Sequence, residues 1–309
     1  MTTDAPGILV TGGTGLVGSA IVRQLLAAGH SVRVISRGDG FPAPAGVSTR
    51  RGDVTSVGDV AAAMRGCHAV FHCAAEKTDR ARMAAVNIEA TRHLLQLACD
   101  LEVGYLCHLS SVAVIGRTDS SIVDETAACN PLTLYAETKL AAEEIARRGL
   151  PGGRVAILRP TNIFGPDTLE SWLQNSLRSK MRDFLSGRER AHLVYVEDVA
   201  AAAVRTLHSS SGVSVETYIV SSDEEPGNTN QEVRVALASM VETATRPCRC
   251  SAPLWVPGCA RAIRHGHGNL GKVIYSSRRL HQTGFRFPFG LRNGLNDAVR
   301  LRRAGPARG

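Results

Sequence analysis

The chain has 309 residues, 44% of them apolar and 21% charged, with a formal net charge of +8. That is enough apolar material to bury a large core as one domain or two closely joined lobes, and it excludes a disordered or fibrous protein. No apolar run approaches the roughly 20 residues a membrane helix needs, and the opening Met1-Thr2-Thr3-Asp4 carries no basic leader, so the expected location is cytoplasmic.

In chain order, strands are predicted at 7–10, 31–35, 69–73, 105–110 and 154–159, with helices between them at 15–28, 57–65, 83–99 and 134–148. Short apolar runs that alternate with helical patterns build a parallel sheet from β-α-β units. The predicted fold class is therefore α/β, a doubly wound parallel sheet whose ligand lies at the carboxyl ends of its strands. After Phe164-Gly165-Pro166 the alternation breaks: 168–190 reads as helical and mixed, and 193–199 and 217–220 read as returns to the sheet. From Asn228 onward the chain is helical and then rich in Gly, Pro and Arg.

Charge and cysteines qualify this picture. From Arg246 onward, twelve arginines and one lysine face Asp297 alone, a local charge of +12 that leaves −4 for the residues before it. Such a segment suits a diphosphate substrate or a weak contact with an anionic membrane; the plainer reading is a solvated basic face around Arg300, Arg302, Arg303 and Arg308. Nucleic acid is not expected, because no aromatic-rich basic motif accompanies the charge. Cys73 and Cys107 sit in apolar contexts and read as reduced, buried thiols. Cys248, Cys250, Cys259, His265 and His267 match no spacing of paired chelating turns, so no metal is expected.

Two motifs carry the chemistry. Thr11-Gly12-Gly13-Thr14-Gly15-Leu16-Val17-Gly18 lies between the first strand and the first helix. Gly12 permits a tight turn, Gly15 a close backbone approach to a pyrophosphate, and Gly18 close helix packing, while the helix N-terminus supplies amides and partial positive charge. At the end of the second strand, Ile35-Ser36-Arg37 offers no carboxylate to a ribose 2′-hydroxyl and one guanidinium to a 2′-phosphate. NADP(H) is thus favoured over NAD(H), which Asp39 keeps open. Tyr135 and Lys139 are four residues apart on one predicted helix and share a face. A phenol titrating near 10 needs about 4 kcal/mol of differential stabilisation to act as a base near neutral pH, and a neighbouring ammonium supplies part of it.

The order and separation of these motifs, with Ser111 between them, resemble the extended short-chain dehydrogenase/reductases, the NAD(P)-dependent epimerases, dehydratases and ketoreductases that modify nucleotide sugars. The resemblance implies a Rossmann domain over residues 1–167 with a returning segment 191–221. A smaller substrate-binding lobe from 168–190 and 222–309 would form the other wall of a cleft. It also implies that Tyr135 moves the proton, that Lys139 lowers its pKa and holds the nicotinamide ribose, and that Ser111 binds the substrate oxygen, with Ser110 the lesser candidate. Asp53, in Gly52-Asp53-Val54, would contact the adenine end, and Phe71-His72-Cys73-Ala74-Ala75 would leave room for the cofactor. Asn87 would shape the site from a neighbouring helix. Pro160 and Thr161 would border the nicotinamide, Asn162 would reach the substrate, and Arg188 or Arg190, ahead of Tyr195-Val196-Glu197-Asp198-Val199, would grip a substrate phosphate.

The resemblance further implies a homodimer formed through the 134–148 helix. Dehydration is disfavoured, because Val112 and Ala113 stand where the sugar dehydratases carry an acidic pair. A 4-ketoreductase or 4-epimerase of a diphosphate-linked sugar remains. The alternatives are a reductase of a polyketide, steroid or flavonoid-like ketone and a non-catalytic cofactor-binding sensor or scaffold.

Overall fold

The computed structural model describes residues 7–38, 44–173, 184–209, 212–241, 251–253 and 273–304. Among them the strands in chain order are β1 Gly7–Thr11, β2 Val32–Ser36, β3 Val47–Arg51, β4 Cys67–His72, β5 Tyr105–Leu109, β6 Ile122–Val123, β7 Arg154–Pro160, β8 Asn162–Phe164, β9 Leu193–Tyr195, β10 Val215–Val220 and β11 Ile274–Tyr275. Seven of them form one sheet in the order β10-β7-β5-β4-β1-β2-β3. β1 pairs in parallel with β2 on one side and β4 on the other, placing Ile8 opposite both Val32 and Ala69. The chain therefore winds outward in both directions from the β1/β4 junction, and a crevice opens at the carboxyl ends of those two strands.

Helices α1 Leu16–Ala27, α2 Val57–Met64, α3 Arg80–Met83, α4 Ala90–Asp100 and α5 Leu134–Ala146 supply the crossovers. Ser56 caps α2 and Thr133 caps α5, each side chain accepting a backbone N–H of the first turn. Leu9, Val70, Leu106 and Ile157 of the sheet pack with Val60 and Met64 of α2, Leu94 and Ala98 of α4 and Ile145 of α5. Parallel strands covered in this way are apolar along their length, which is why β1, β4 and β5 are readable as continuous runs.

Besides the short strands β6, β8 and β11 and the short helix α3, which have no predicted counterpart, the predicted elements differ from the observed ones in three larger respects. β3, Val-Ser-Thr-Arg-Arg, has no counterpart among the predicted strands: it lies at the sheet's edge with four exposed residues, so its sequence carries neither an apolar run nor a clean alternation. The single helix expected over 83–99 is interrupted by a π-helical turn, Ala84–Glu89. The stretch 193–199 does not return to the main sheet. Its first part, β9, pairs with β8 in a separate two-stranded sheet, and Val196–Leu207 is helical.

The chain divides into two units: Met1–Gly116, Cys129–Arg159 and Val199–Tyr218 in the first, and Arg117–Ala128, Pro160–Asp198 and Ile219–Gly309 in the second. Residues 160–167 and 191–198, grouped with the dinucleotide-binding part on sequence grounds, thus fall in the second unit. There the helix Gly290–Ala304 packs on β9, with Gly294 so close to Tyr195 that a Cβ would lie 2.7 Å from its ring. Asp198, wholly buried, accepts the backbone N–H groups of Phe289 and Gly290, both at 2.9 Å, at the start of that helix. Burial lifts the Asp198 carboxyl to about 6 against the pull of those two N–H groups.

Candidate active site

The turn after β1 is built from glycine for steric reasons. Gly12 has a φ of +67°, and a Cβ there would stand 2.7 Å from the amide of Ala74. At Gly18 a Cβ would lie 2.1 Å from the Gly12 carbonyl oxygen, so α1 packs on the turn itself rather than only on the sheet. The N-terminus of α1 has no side-chain cap and no acidic residue in its first turn. Its first N–H groups and the positive end of its dipole therefore face outward as an anion site.

Beside this turn lies a cavity of about 480 Å³, lined by Gly12, Thr14 and Gly15, by Ile35–Gly38 after β2, by Gly52–Val54, by Cys73–Glu76 after β4, and by Arg82 and Val86. The predicted residues Gly12, Gly15, Ser36, Arg37 and Asp53 all border it, while Gly18 sits beneath. A glycine cradle that a Cβ at Gly12 or Gly18 would fill, an uncapped helix start and a cavity at the strand ends fit an adenine dinucleotide. Asp53 Oδ1 accepts hydrogen bonds from Thr55 N and Oγ1, both at 2.9 Å. Burial would raise the Asp53 carboxyl, but Thr55 and the charges of Arg37 and Arg82 hold it below its ordinary value. Asp39, the residue that kept NAD(H) open, lies outside the described residues, as do Arg308 and the cysteines and histidines weighed as metal ligands.

The wall formed by residues 73–76 is fixed from below. Asn87, inside the π-helical turn, accepts Glu76 N at 2.8 Å and donates to Glu76 O and to Thr138 Oγ1, both at 2.9 Å. It thereby ties the cavity wall to α5, a structural role consistent with the one inferred from sequence.

α5 carries Tyr135 and Lys139 one turn apart, and the turn Val112–Val114 packs against it. Ser111 caps that turn, its Oγ accepting Ala113 N at 3.2 Å. Lys139 is only 2% exposed and donates to the Leu109 carbonyl at 2.5 Å. Burial pulls its ammonium down to about 8, opposed by the neighbouring Cys73 and Glu143. Cys73, which lines the cavity, is near enough for its charge to act on Lys139, whereas Ser111, Tyr135 and Lys139 are not themselves among the residues that line it. Burial pushes the Tyr135 phenol above its ordinary value. The Tyr135 hydroxyl therefore keeps its proton at neutral pH.

One network lies outside the sequence motifs. Glu143, wholly buried, accepts Ser110 Oγ at 2.8 Å, Arg159 Nε at 3.0 Å, Arg159 Nη2 at 2.6 Å and Arg147 Nη2 at 2.7 Å. Ser110, the lesser candidate for substrate contact, is thus a structural residue. The signal is present in the sequence: Glu143 follows Lys139 by four, on the same helical face. Two histidines that the motifs do not single out, His72 and His108, are buried beneath the site. Thr11 Oγ1 and Thr91 Oγ1 hold His72, whose pKa burial lowers to about 3, so it is neutral.

Pro160, Thr161, Asn162 and Arg190 belong to the second unit. Thr161 donates its N–H to the Val220 carbonyl at 3.1 Å. Asn162 is exposed, its amide donating to the Ala191 carbonyl at 2.9 Å. Arg190 donates to the Asp223 carbonyl at 2.6 Å. On the basic helix, Arg300 pairs with Asp297, Arg302 with Glu170, and Arg303 donates to the Met240 carbonyl. No helix among the described residues is long and apolar enough to cross a membrane.

Residues 8–221 match the sequence model of the NAD-dependent epimerase/dehydratase family. A 3-beta-hydroxysteroid dehydrogenase of Mycolicibacterium neoaurum is 35% identical over 182 residues, 53% of this chain and 49% of that protein, so the chain spans about half the length of that relative. Cinnamoyl-CoA reductase 1 of Oryza sativa is 30% identical over 94% of this chain and 89% of its own length. Among solved structures, the Thermus thermophilus UDP-glucose 4-epimerase in complex with NAD has a TM-score of 0.73 and 25% identity, over 97% of this chain and 99% of that one.

Proposed function

The chain belongs to the NAD-dependent epimerase/dehydratase family, and from that premise we propose that it works as a 4-ketoreductase or 4-epimerase on a nucleotide-linked sugar, with Ser111, Tyr135 and Lys139 at the reacting centre. The observation that carries this reading is the buried Lys139, one turn from Tyr135 on α5 and near enough to Cys73 of the cavity wall to feel its charge. The dinucleotide, when bound, supplies or takes up a hydride at a carbinol or ketone carbon. Ser111 donates a hydrogen bond to the substrate oxygen. Tyr135 gives its proton to that oxygen in reduction and receives it in oxidation. Lys139, cationic below about pH 8, holds the ribose hydroxyls and favours the phenolate when Tyr135 has lost its proton. Asn162 and Arg190 would contact the substrate, and Pro160 and Thr161 would border the nicotinamide. We place NADP(H) ahead of NAD(H) on the strength of Ser36 and Arg37 at the cavity wall, although the epimerase named above carries NAD.

Tyr135→Phe tests the centre. Turnover of a UDP-sugar should fall about 10²- to 10⁴-fold while dinucleotide binding is retained, and unchanged turnover would remove Tyr135 from the reaction. The relatives named as steroid dehydrogenase and cinnamoyl-CoA reductase favour a second reading, a reductase of a non-sugar carbonyl. Following nicotinamide absorbance with UDP-glucose, a 3-ketosteroid and a cinnamoyl thioester in parallel separates the two.

A further inference from the structure

Arg82 is unassigned by the reading above. It sits on α3, far along the chain from Ser36 and Arg37, yet all three border the same cavity. Its guanidinium is 3.7 Å from Asp53 Oδ2, with the two side chains 41% and 32% exposed. A solvated pair at that distance is weak and readily exchanged. Because Thr55 anchors Asp53 through Oδ1, the carboxylate is the fixed member and the long Arg82 side chain the one able to swing.

We propose that Arg82 and Arg37 together form a subsite for a phosphate on the adenosine ribose, and that Asp53 competes for Arg82 and so sets the preference between NADP(H) and NAD(H). This rests on the NADP(H) reading and adds to it a second cation and a competitor. A phosphate monoester carries close to two negative charges and three acceptor oxygens, so it engages two guanidinium forks better than one carboxylate does. When the phosphate is present, Arg82 leaves Asp53 for it. When it is absent, Arg82 stays with Asp53, the two charges offset each other, and the same wall faces an uncharged ribose. Each segment thus contributes one part: the turn after β2 one cation, the 52–55 turn the competitor, and α3 the cation that moves.

Calorimetric titration of the full chain with adenosine 2′,5′-bisphosphate and with 5′-AMP isolates the subsite from turnover. Arg82→Ala should weaken the bisphosphate by about 10- to 100-fold and leave 5′-AMP nearly unchanged, since a charge-assisted bond to phosphate is lost. Arg82→Lys, which keeps the charge without the fork, should fall between. Asp53→Asn should tighten the bisphosphate about 2- to 5-fold in the presence of Arg82 and have little effect in the Arg82→Ala background, the coupling expected of a competitor. If Arg37→Ala abolishes discrimination while Arg82→Ala does not, the proposal is overturned and the NADP(H) reading stands. If the unsubstituted protein binds both nucleotides equally, both fall.

Discussion

Lys139 is a cation kept almost entirely out of water, and its replacement should separate stability from activity. Burial moves its pKa from 10.5 to about 8. At about 1.4 kcal/mol for each pH unit, holding the proton on Lys139 in the folded state costs about 3 kcal/mol at neutral pH. The sign follows from proton counting. Between about pH 8 and 10.5 the unfolded chain binds the Lys139 proton and the folded one does not, so this contribution makes stability rise with pH across that window. Lys139→Met keeps the length and apolar stem, removes the charge, and loses the hydrogen bond to Leu109 O, worth about 1 kcal/mol. The variant should be inactive and about 1 to 3 kcal/mol more stable than the parent at pH 7, with the advantage shrinking as pH approaches 10. Denaturant unfolding of both proteins at several pH values measures the difference. A Met variant that is less stable at pH 7, or a difference that stays flat with pH, would show that the ammonium is better solvated than its burial indicates.

Gly18→Ala should abolish dinucleotide binding and lower the melting temperature, because its Cβ would overlap the Gly12 carbonyl; binding retained at parental affinity would argue against the tight turn. Glu143→Ala should cost about 3 to 5 kcal/mol, since Arg159, 2% exposed, would be left as an uncompensated buried charge. Urea midpoints decide this, and a loss under about 1 kcal/mol would contradict the network. Asp198→Ala leaves the N–H groups of Phe289 and Gly290 without their acceptor and should cost about 2 to 4 kcal/mol. Hydrogen exchange should show the start of the Gly290–Ala304 helix opening first, and unaltered protection there would refute the capping role.

Legibility in the sequence follows periodicity. The buried parallel strands and the glycine turn announce themselves, because an unbroken apolar run and a Gly-x-x-Gly-x-x-Gly spacing have few other physical explanations. The i,i+4 relation of Tyr135 and Lys139 needs only a helix to be read correctly. What the sequence conceals depends on partners far away in the chain. Glu143 shares a helical face with Lys139, which is readable, but its partners Arg159 and Ser110 are visible only in the fold. Arg82 reads as one of two arginines on a four-residue helix, and only the fold shows that it faces Asp53. The π-helical turn adds a residue to a helix whose composition is ordinary, and its purpose appears only in the three hydrogen bonds that Asn87 makes from it.

The polar edge strand β3 bears on how copies of this chain meet. An outermost strand leaves a row of backbone donors and acceptors open to any passing chain, and a sheet of apolar strands that ended there would invite strand-by-strand stacking. Here the row is Ser48, Thr49, Arg50 and Arg51, all exposed. The arginines set like charge against like when two such edges approach, and the hydroxyl side chains give little apolar area to offset it. The short strand thus disfavours edge-to-edge pairing where the seven-stranded sheet ends among the described residues.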